Sequence, residues 1–440
     1  MAEAKGDKMR YFTKVLIFAV LNIFLFAGLS HAEKVTFVKE YTYQASELDS
    51  KASCRTISLE MVKRLLLEEL GTYLISETEV KNMQLAKDTV VTLSAGIVQT
   101  EILSEKWDGE KYWLKARVSA DPAETTKALQ RLAKDKEKTR ELEDAKQQAK
   151  EALKEIDRLK KELETAKTAV AAKKKQKDYQ KEVNRLSAVD WLEKGKSFLN
   201  AKKYDDAIKA YDKAIELDPE PDNAAGAYFG RGVIYNMKGQ LDRAIEEFNK
   251  AIELYPDYAN VYVSRGYVYI RKGQYDKAIM NFNKAIELYP DYANTYFGRG
   301  FAYYMKGQYD RAIQDYNKTI ELAPNDAVAY DNRGNAYYMN GQHDRAILDY
   351  DKAIELAPNG AGAYLGRGLA YGNKGQYDRA ILDYNKAIEF NPNNARAYFE
   401  RGGAYYGKGQ YDRAILDLKT AAQLGDMTAQ KFLRENGIAW

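Results

Sequence analysis

Three different spacings of apolar residues divide this chain. Over 33–120 the spacing is mixed. Val35, Phe37 and the Tyr41/Tyr43 pair alternate with polar residues and predict a strand. Ala52, Ile57, Met61, Leu65, Leu66 and Leu70 then recur at helical intervals over 50–74, with the helix expected to end near Gly71. Residues 89–107 are rich in β-formers, and Asp108-Gly109 is a favoured two-residue turn. Beyond it Tyr112, Leu114, Ala116 and Val118 alternate with Trp113, Lys115 and Arg117. The prediction for 33–120 is a small α+β domain with one helix laid on a sheet.

Over 121–187 the period becomes 3.5 residues. Leu142, Ala145, Ala149, Ala152, Ile156, Leu159, Leu163, Ala166 and Val170 are spaced alternately by three and four. A seam that holds this phase for about four heptads predicts a left-handed coiled-coil stalk, and with it a homo-oligomer through residues 142–170. A stalk folded back on its neighbours satisfies the same spacing.

From residue 188 the chain repeats itself every 34 residues. Gly232, Gly266, Gly300, Gly334, Gly368 and Gly402 keep that step, as do Tyr235, Tyr269, Tyr303, Tyr337, Tyr371 and Tyr405. Ala244, Ala278, Ala312, Ala346, Ala380 and Ala414 keep it too, and Pro256, Pro290, Pro324, Pro358 and Pro392 close successive units. A divergent first copy supplies Trp191, Gly195, Phe198, Tyr204, Tyr211 and Pro219. Small residues at fixed places imply helices in close approach, and most tyrosines are expected to be core. Arg231, Arg265, Arg299, Arg333, Arg367 and Arg401 each precede a repeat glycine. Such a row either grips acidic ligands or pairs with second-helix aspartates such as Asp315, Asp349, Asp383 and Asp417; its regularity favours pairing.

The 34-residue pattern resembles the tetratricopeptide repeat family. The resemblance implies a mainly α fold: an α-solenoid of seven helix pairs over 188–425 and a C-terminal capping helix at 426–440. It also implies a function, since this family lines its concave face with the first helix of each pair, at positions three before and one and four after the glycine. Here those positions hold Phe229, Val233 and Asn236, then Val263, Tyr267 and Ile270. Phe297, Phe301 and Tyr304 follow, then Asp331, Asn335 and Tyr338, then Leu365 and Leu369, and lastly Phe399 and Tyr406. Family members that clamp a peptide's terminal carboxylate use Lys and Asn there. The apolar and aromatic residues here instead suit an amphipathic helix or an extended apolar peptide, with Phe297, Phe301 and Tyr304 as anchors. The same side chains could fill the superhelix interior. The order of strand, long helix and hairpin over 33–120 is similar to small envelope domains of the flagellar-assembly T and LPP20-lipoprotein type, which implies a non-catalytic envelope-binding role.

The N-terminus adds an address. Lys5, Lys8, Arg10 and Lys14 precede an apolar run at 15–29 and then Ser30-His31-Ala32. This is the layout of a secretory signal peptide at 1–32, cleaved after Ala32. It places the mature chain in the periplasm or cell envelope of a bacterium, without a membrane span. The alternative is an uncleaved anchor.

Composition then removes function classes. In 440 residues, 68 basic side chains face 64 acidic ones, a net charge of +4 that gives nucleic acid no concentrated basic surface. Two histidines (His31 and His343) and one cysteine (Cys54) supply neither a zinc ligand set nor a thiol–imidazole pair. No phosphate loop or nucleophile elbow is present. The expectation is a protein that is not an enzyme, needs no cofactor or metal, and binds a protein or peptide partner. Cys54 is expected to be a buried small apolar residue, and His343, which replaces a repeat tyrosine, a packing residue.

Overall fold

The computed structural model describes residues 34–46, 49–76, 80, 83, 85–134, 136–165 and 169–440. The leader expected at 1–32 lies outside them. No described helix is long and apolar enough to cross a membrane. The chain divides into two units, 1–147 and 148–440.

The first unit contains β1 (Val35–Gln44), α1 (Lys51–Ser76), α2 (Lys87–Ala95), β2 (Thr100–Trp107), β3 (Lys111–Ala120), α3 (Pro122–Lys134) and the start of α4 (Lys136–Glu164). The strands form an antiparallel sheet in the order β1-β3-β2, with Phe37 opposite Val118 and Tyr41 opposite Leu114. Alternation on β3 buries Tyr112, Leu114, Ala116 and Val118, and α1 covers this face with Val62, Leu66, Leu70 and Leu74. Each fully buried Leu or Val there contributes about 1.5–3 kcal/mol of transfer free energy. Cys54 is buried in the same core, where burial pushes its thiol up to about 11.

Three local expectations change. Residues 87–95 are helical, not strand, because Val90 and Leu93 reach the core from one helix face. Gly71 does not end α1; a Cβ there would meet Val91 Cγ2 at 2.4 Å, so the glycine lets α2 approach. The hairpin pairs Trp107 with Tyr112, leaving a four-residue loop. Asp108 Oδ1 closes it by accepting from the Glu110 and Lys111 amides at 2.9 and 2.6 Å.

The second unit opens with the rest of α4 and with α5 (Ala169–Asn200), and here the stalk expectation is corrected. The described middle of the seam expected to meet a second copy, 149–163, is covered within one chain; Ala166 lies outside the described residues. Glu162 on α4 pairs with Lys175 on α5, and Lys160 Nζ stands 6.0 Å from the Tyr179 ring. Partner numbers that fall on one helix as they rise on the other mark an antiparallel hairpin. Ala149, Ala152, Ile156, Leu159 and Leu163 are buried along α4, and Tyr179, Val183, Leu186 and Ala188 along α5. Leu142, the first seam residue, packs instead on the core of the N-terminal unit. The expected boundary at 187 also disappears, because α5 runs through it and supplies Trp191 and Phe198 to the first repeat.

The remaining helices alternate as first and second members of pairs. After α5 comes α6 (Tyr204–Leu217), followed by α7 (Pro221–Met237) with α8 (Leu241–Leu254) and α9 (Ala259–Arg271) with α10 (Tyr275–Leu288). Then come α11 (Ala293–Met305) with α12 (Tyr309–Leu322) and α13 (Ala327–Met339) with α14 (His343–Leu356). The last are α15 (Ala361–Asn373) with α16 (Tyr377–Phe390), α17 (Ala395–Gly407) with α18 (Tyr411–Gln423), and the capping helix α19 (Met427–Glu435). Between helices of a pair, Gly307 takes φ +70° and the Gln308 amide donates to the Tyr303 carbonyl at 2.9 Å. This left-handed cap is open to glycine and strained for other residues. The second-helix aromatics are the mortar. Tyr350 is fully buried between two repeats, and a Cβ at Gly334 or Gly366 would meet its ring at 2.8 or 2.5 Å.

The arginine row pairs within the chain. Arg333 Nε and Nη2 donate to both oxygens of Asp349 at 2.7 and 2.6 Å, while Nη1 reaches back to Asn317 Oδ1 at 2.7 Å. Arg299, Arg367 and Arg401 repeat the geometry on Asp315, Asp383 and Asp417. Each arginine therefore joins the second helices of two successive repeats, and each guanidinium also lies over a first-helix tyrosine, Tyr330 at 5.4 Å for Arg333.

Candidate functional site

First helices of successive repeats touch one another, while second helices stay farther apart, so the first helices form the inner face of the stack. The residues of the sequence-derived stripe all stand on these first helices, and they differ in how much they are already occupied.

Val263 is only 4% exposed and belongs to the core of its repeat, which removes it from any open face. Phe229 packs on Phe248 and Tyr258 with ring centroids 5.9 and 5.3 Å away, beside the partly buried Val233. Tyr267 meets Phe282 edge-on at 5.3 Å and donates its hydroxyl to Asn294 Oδ1 at 2.7 Å; burial pushes that phenol up. Phe297 rests on Tyr316 at 5.7 Å. Leu365 and Phe399 are partly buried against their own repeats, Phe399 on the cluster that α19 completes. These residues form the floor of the groove as much as its lining.

Tyr406, in the last repeat, is the exposed aromatic of the stripe, and the central aromatics are half-buried. Phe301 is half-buried, Tyr304 lies 5.6 Å from the Tyr309 ring, and Tyr338 lies 5.3 Å from His343 while its hydroxyl accepts from Asn373 Nδ2 at 2.8 Å. His343 is thus a packing residue beside an aromatic. Two polar side chains interrupt the apolar stripe in this region. Asp331 Oδ1 is buried with no hydrogen-bond partner, and burial pushes the carboxyl up to about 6. Asn335 Oδ1, one turn on, accepts from the Tyr350 hydroxyl at 2.9 Å. Farther along, burial raises the Glu400 carboxyl although Arg396 stands 3.5 Å away.

Sequence reasoning missed a second exposed feature. Leu348, Leu382 and Leu416 stand 34 residues apart on α14, α16 and α18 and are 65–68% exposed. Their 34-residue step was the signal that could have found them.

Comparison with known proteins bears on the repeat region. Models described as "TPR repeat" match residues 266–307, 334–375 and 373–409, and models described as "Tetratricopeptide repeat" match 192–259, 247–280, 293–326, 315–347 and 395–424. Together they run from 192 to 424, just over half of the chain. The mitochondrial import receptor subunit TOM70 of Saccharomyces cerevisiae is 42% identical over 69 residues, 16% of this chain and 10% of that protein. The Hsp70-Hsp90 organizing protein 3 of Arabidopsis thaliana is 36% identical over 70 residues, 16% of this chain and 12% of that one. The chain thus spans about a tenth of the length of these curated relatives. Among solved structures, one of MamA is 32% identical with a TM-score of 0.35, covering 38% of this chain and 96% of that one. A tetratricopeptide repeat protein from Parabacteroides merdae is 22% identical with a TM-score of 0.46, covering 56% of this chain and 98% of that one. With seven helix pairs in phase and family matches from 192 to 424, the chain belongs to the tetratricopeptide repeat family.

Proposed function

We propose that this chain is an exported scaffold that holds a protein or peptide partner along the inner face of its solenoid, with Phe301 and Tyr304 as the central anchors. Phe297 supports them from below through its contact with Tyr316. The observation that carries this reading is the concentration of half-buried aromatic side chains on the first helices of consecutive repeats, a face that no other segment of the solenoid covers among the described residues. Family membership supports the same mode, since tetratricopeptide repeats generally mediate protein–protein interaction rather than catalysis. Export rests on the basic, apolar and small-residue order of residues 5–32, and docking to the envelope on the resemblance of the N-terminal unit.

The direct test is selection of binders from a peptide library by the full chain, followed by a Phe301→Ser/Tyr304→Ser variant. Truncating groove anchors typically costs about 2 kcal/mol or more, at least thirtyfold in affinity. The expected result is that loss with a melting temperature within a few degrees of the wild type. Retained binding moves the site off the inner face. Intact-mass analysis of protein from its native source should give a chain that begins at Glu33; one that begins at Met1 or Met9 removes the signal-peptide claim and makes the segment an anchor.

One observation favours a second reading, a self-assembling structural component. The outward Leu348, Leu382 and Leu416 row offers a periodic apolar edge on the second helices. Mass photometry separates the two: a ladder of sizes that collapses in Leu382→Lys supports assembly.

A further inference from the structure

Five of the six regular repeats place an apolar side chain three residues before the glycine: Phe229, Val263, Phe297, Leu365 and Phe399. The sixth places Asp331 there, on α13. The position after the glycine departs in the same repeat, with Asn335 standing where Val233, Tyr267, Phe301 and Leu369 stand elsewhere. Two polar exceptions one turn apart on one helix face make a local site rather than a stray substitution.

The surroundings of Asp331 distinguish it from the other buried aspartates. Asp315, Asp349, Asp383 and Asp417 each hold an arginine through both carboxylate oxygens. Asp331 has no such partner: its Oδ1 is buried and makes no hydrogen bond. The nearby titratable groups are the phenols of Tyr304 on α11 and Tyr350 on α14; Arg396 on α17 acts on Tyr304, but burial alone sets the Asp331 carboxyl. Asp331 Oδ2 points toward Gly362 at the start of α15, lying 3.5 Å from where a Cβ would be, and Gly362 is exposed. A half-buried carboxylate with one oxygen buried and unbonded is costly to a fold, and burial here pushes the group up to about 6. A counter-charge from outside removes that cost.

We propose that Asp331, with Asn335 one turn beyond it, is a subsite of the inner groove that takes the ammonium or guanidinium head of a lysine or arginine side chain of the bound peptide. This rests on the reading of the inner face as a peptide site and adds a charge specificity to it. The flanking stripe fits the rest of such a side chain. Phe301 and Leu365 offer apolar surface for an aliphatic stem while the charged head reaches the carboxylate. The preferred ligand is a basic residue between apolar ones, as opposed to the wholly apolar segment that the rest of the stripe suggests.

The experiment uses the full chain and a positional-scanning library of hexapeptides, N-acetylated and C-amidated so that terminal charges play no part. One arm fixes Lys, one Arg, one norleucine and one Glu at each position in turn. The expected result is at least fivefold preference for Lys or Arg over norleucine at one position, abolished in Asp331→Asn and kept in Asp331→Glu. Far-ultraviolet circular dichroism and melting temperature of Asp331→Asn, unchanged or higher, exclude unfolding as the cause. Retention of apolar peptides by the wild type with no basic preference overturns the subsite and leaves the groove standing. Retention of no peptide at all overturns the groove, and the subsite with it. Basic preference that survives in Asp331→Asn assigns it to another acid and also overturns the proposal.

Discussion

Replacing Asp331 by Asn should make the unliganded protein more stable, and by an amount that depends on pH in a definite direction. The group's folded value is about 6 against an ordinary 3.8, raised because burial disfavours the charge. The folded protein therefore holds the proton more tightly than the unfolded chain. Stability contributed by this site is present below pH 3.8, declines as pH rises, and is lost once pH passes 6. In the dry limit that displacement is worth about 3 kcal/mol. Asp331 is half-buried and the neighbouring Gly362 is exposed, so solvent screening brings the expected penalty at pH 7.5 to about 1–2 kcal/mol. Asn keeps the shape without the charge, and its advantage should shrink toward zero by about pH 4. Other carboxylates titrate in both proteins and cancel in the difference. A repeat array need not unfold in one step, so urea midpoints at pH 7.5, 6 and 4.5 should be paired with native-state amide exchange along α13. An Asn variant no more stable at pH 7.5, or with an advantage indifferent to pH, refutes the argument that the carboxylate is uncompensated.

Three further outcomes follow from pairings elsewhere. Arg265 lacks the carboxylate its counterparts have, holding Asn281 Oδ1 at 2.8 Å, and burial lowers its pKa; Asn281→Asp should raise stability by about 1–2 kcal/mol in urea melts. A fall would mean that the Asn281 Nδ2 bond to the Lys277 carbonyl matters more. Arg333→Met leaves Asp349 buried and unpaired and should cost about 3–5 kcal/mol, most of it recovered in Arg333→Met/Asp349→Leu; no recovery in the double variant would show that the loss is packing rather than stranded charge. Leu159→Lys places an ammonium inside the α4–α5 hairpin and should lower the melting temperature without changing the mass seen by light scattering. A wild-type oligomer that this change converts to monomers would return the seam to a second copy.

What the sequence revealed and what it hid divide along one physical line. A 34-residue period puts every copy in an equivalent environment, so the helix pairs, the glycine–tyrosine packing and the arginine pairing are all readable from spacing. A heptad period states only that one apolar stripe is covered. It is silent on what covers it, and the return of α5 along α4 is a long-range event that the spacing of Leu159 and Leu163 does not encode. The β-branched residues of 89–95 favour a strand, whereas close packing of α2 against Gly71 on α1 overrides that preference. Asp331 and Asn335 were visible as members of the inner stripe. That Asp331 lacks a counter-ion depends on which arginine each helix turn delivers, and that is a property of the fold alone.

The arginine pairs and the groove are parts of one arrangement. A buried arginine–aspartate pair loses hydration as it gains attraction, so each adds little net stability. Its effect is geometric: two donors fixed on one carboxylate and a third on the preceding repeat allow one register between successive second helices. Fixing the outer layer sets the spacing of the first helices, and so the width of the inner face before any partner arrives. A groove already in its bound shape loses less freedom on association. The same rigidity explains how Asp331 keeps its position. A flexible loop would swing an unpaired carboxylate into water, whereas α13 is held on both sides, by Arg333 to Asp349 on α14 and by Arg333 to Asn317 on α12. The chain thus neutralises four buried aspartates to build the scaffold and leaves a fifth open on the face that scaffold presents.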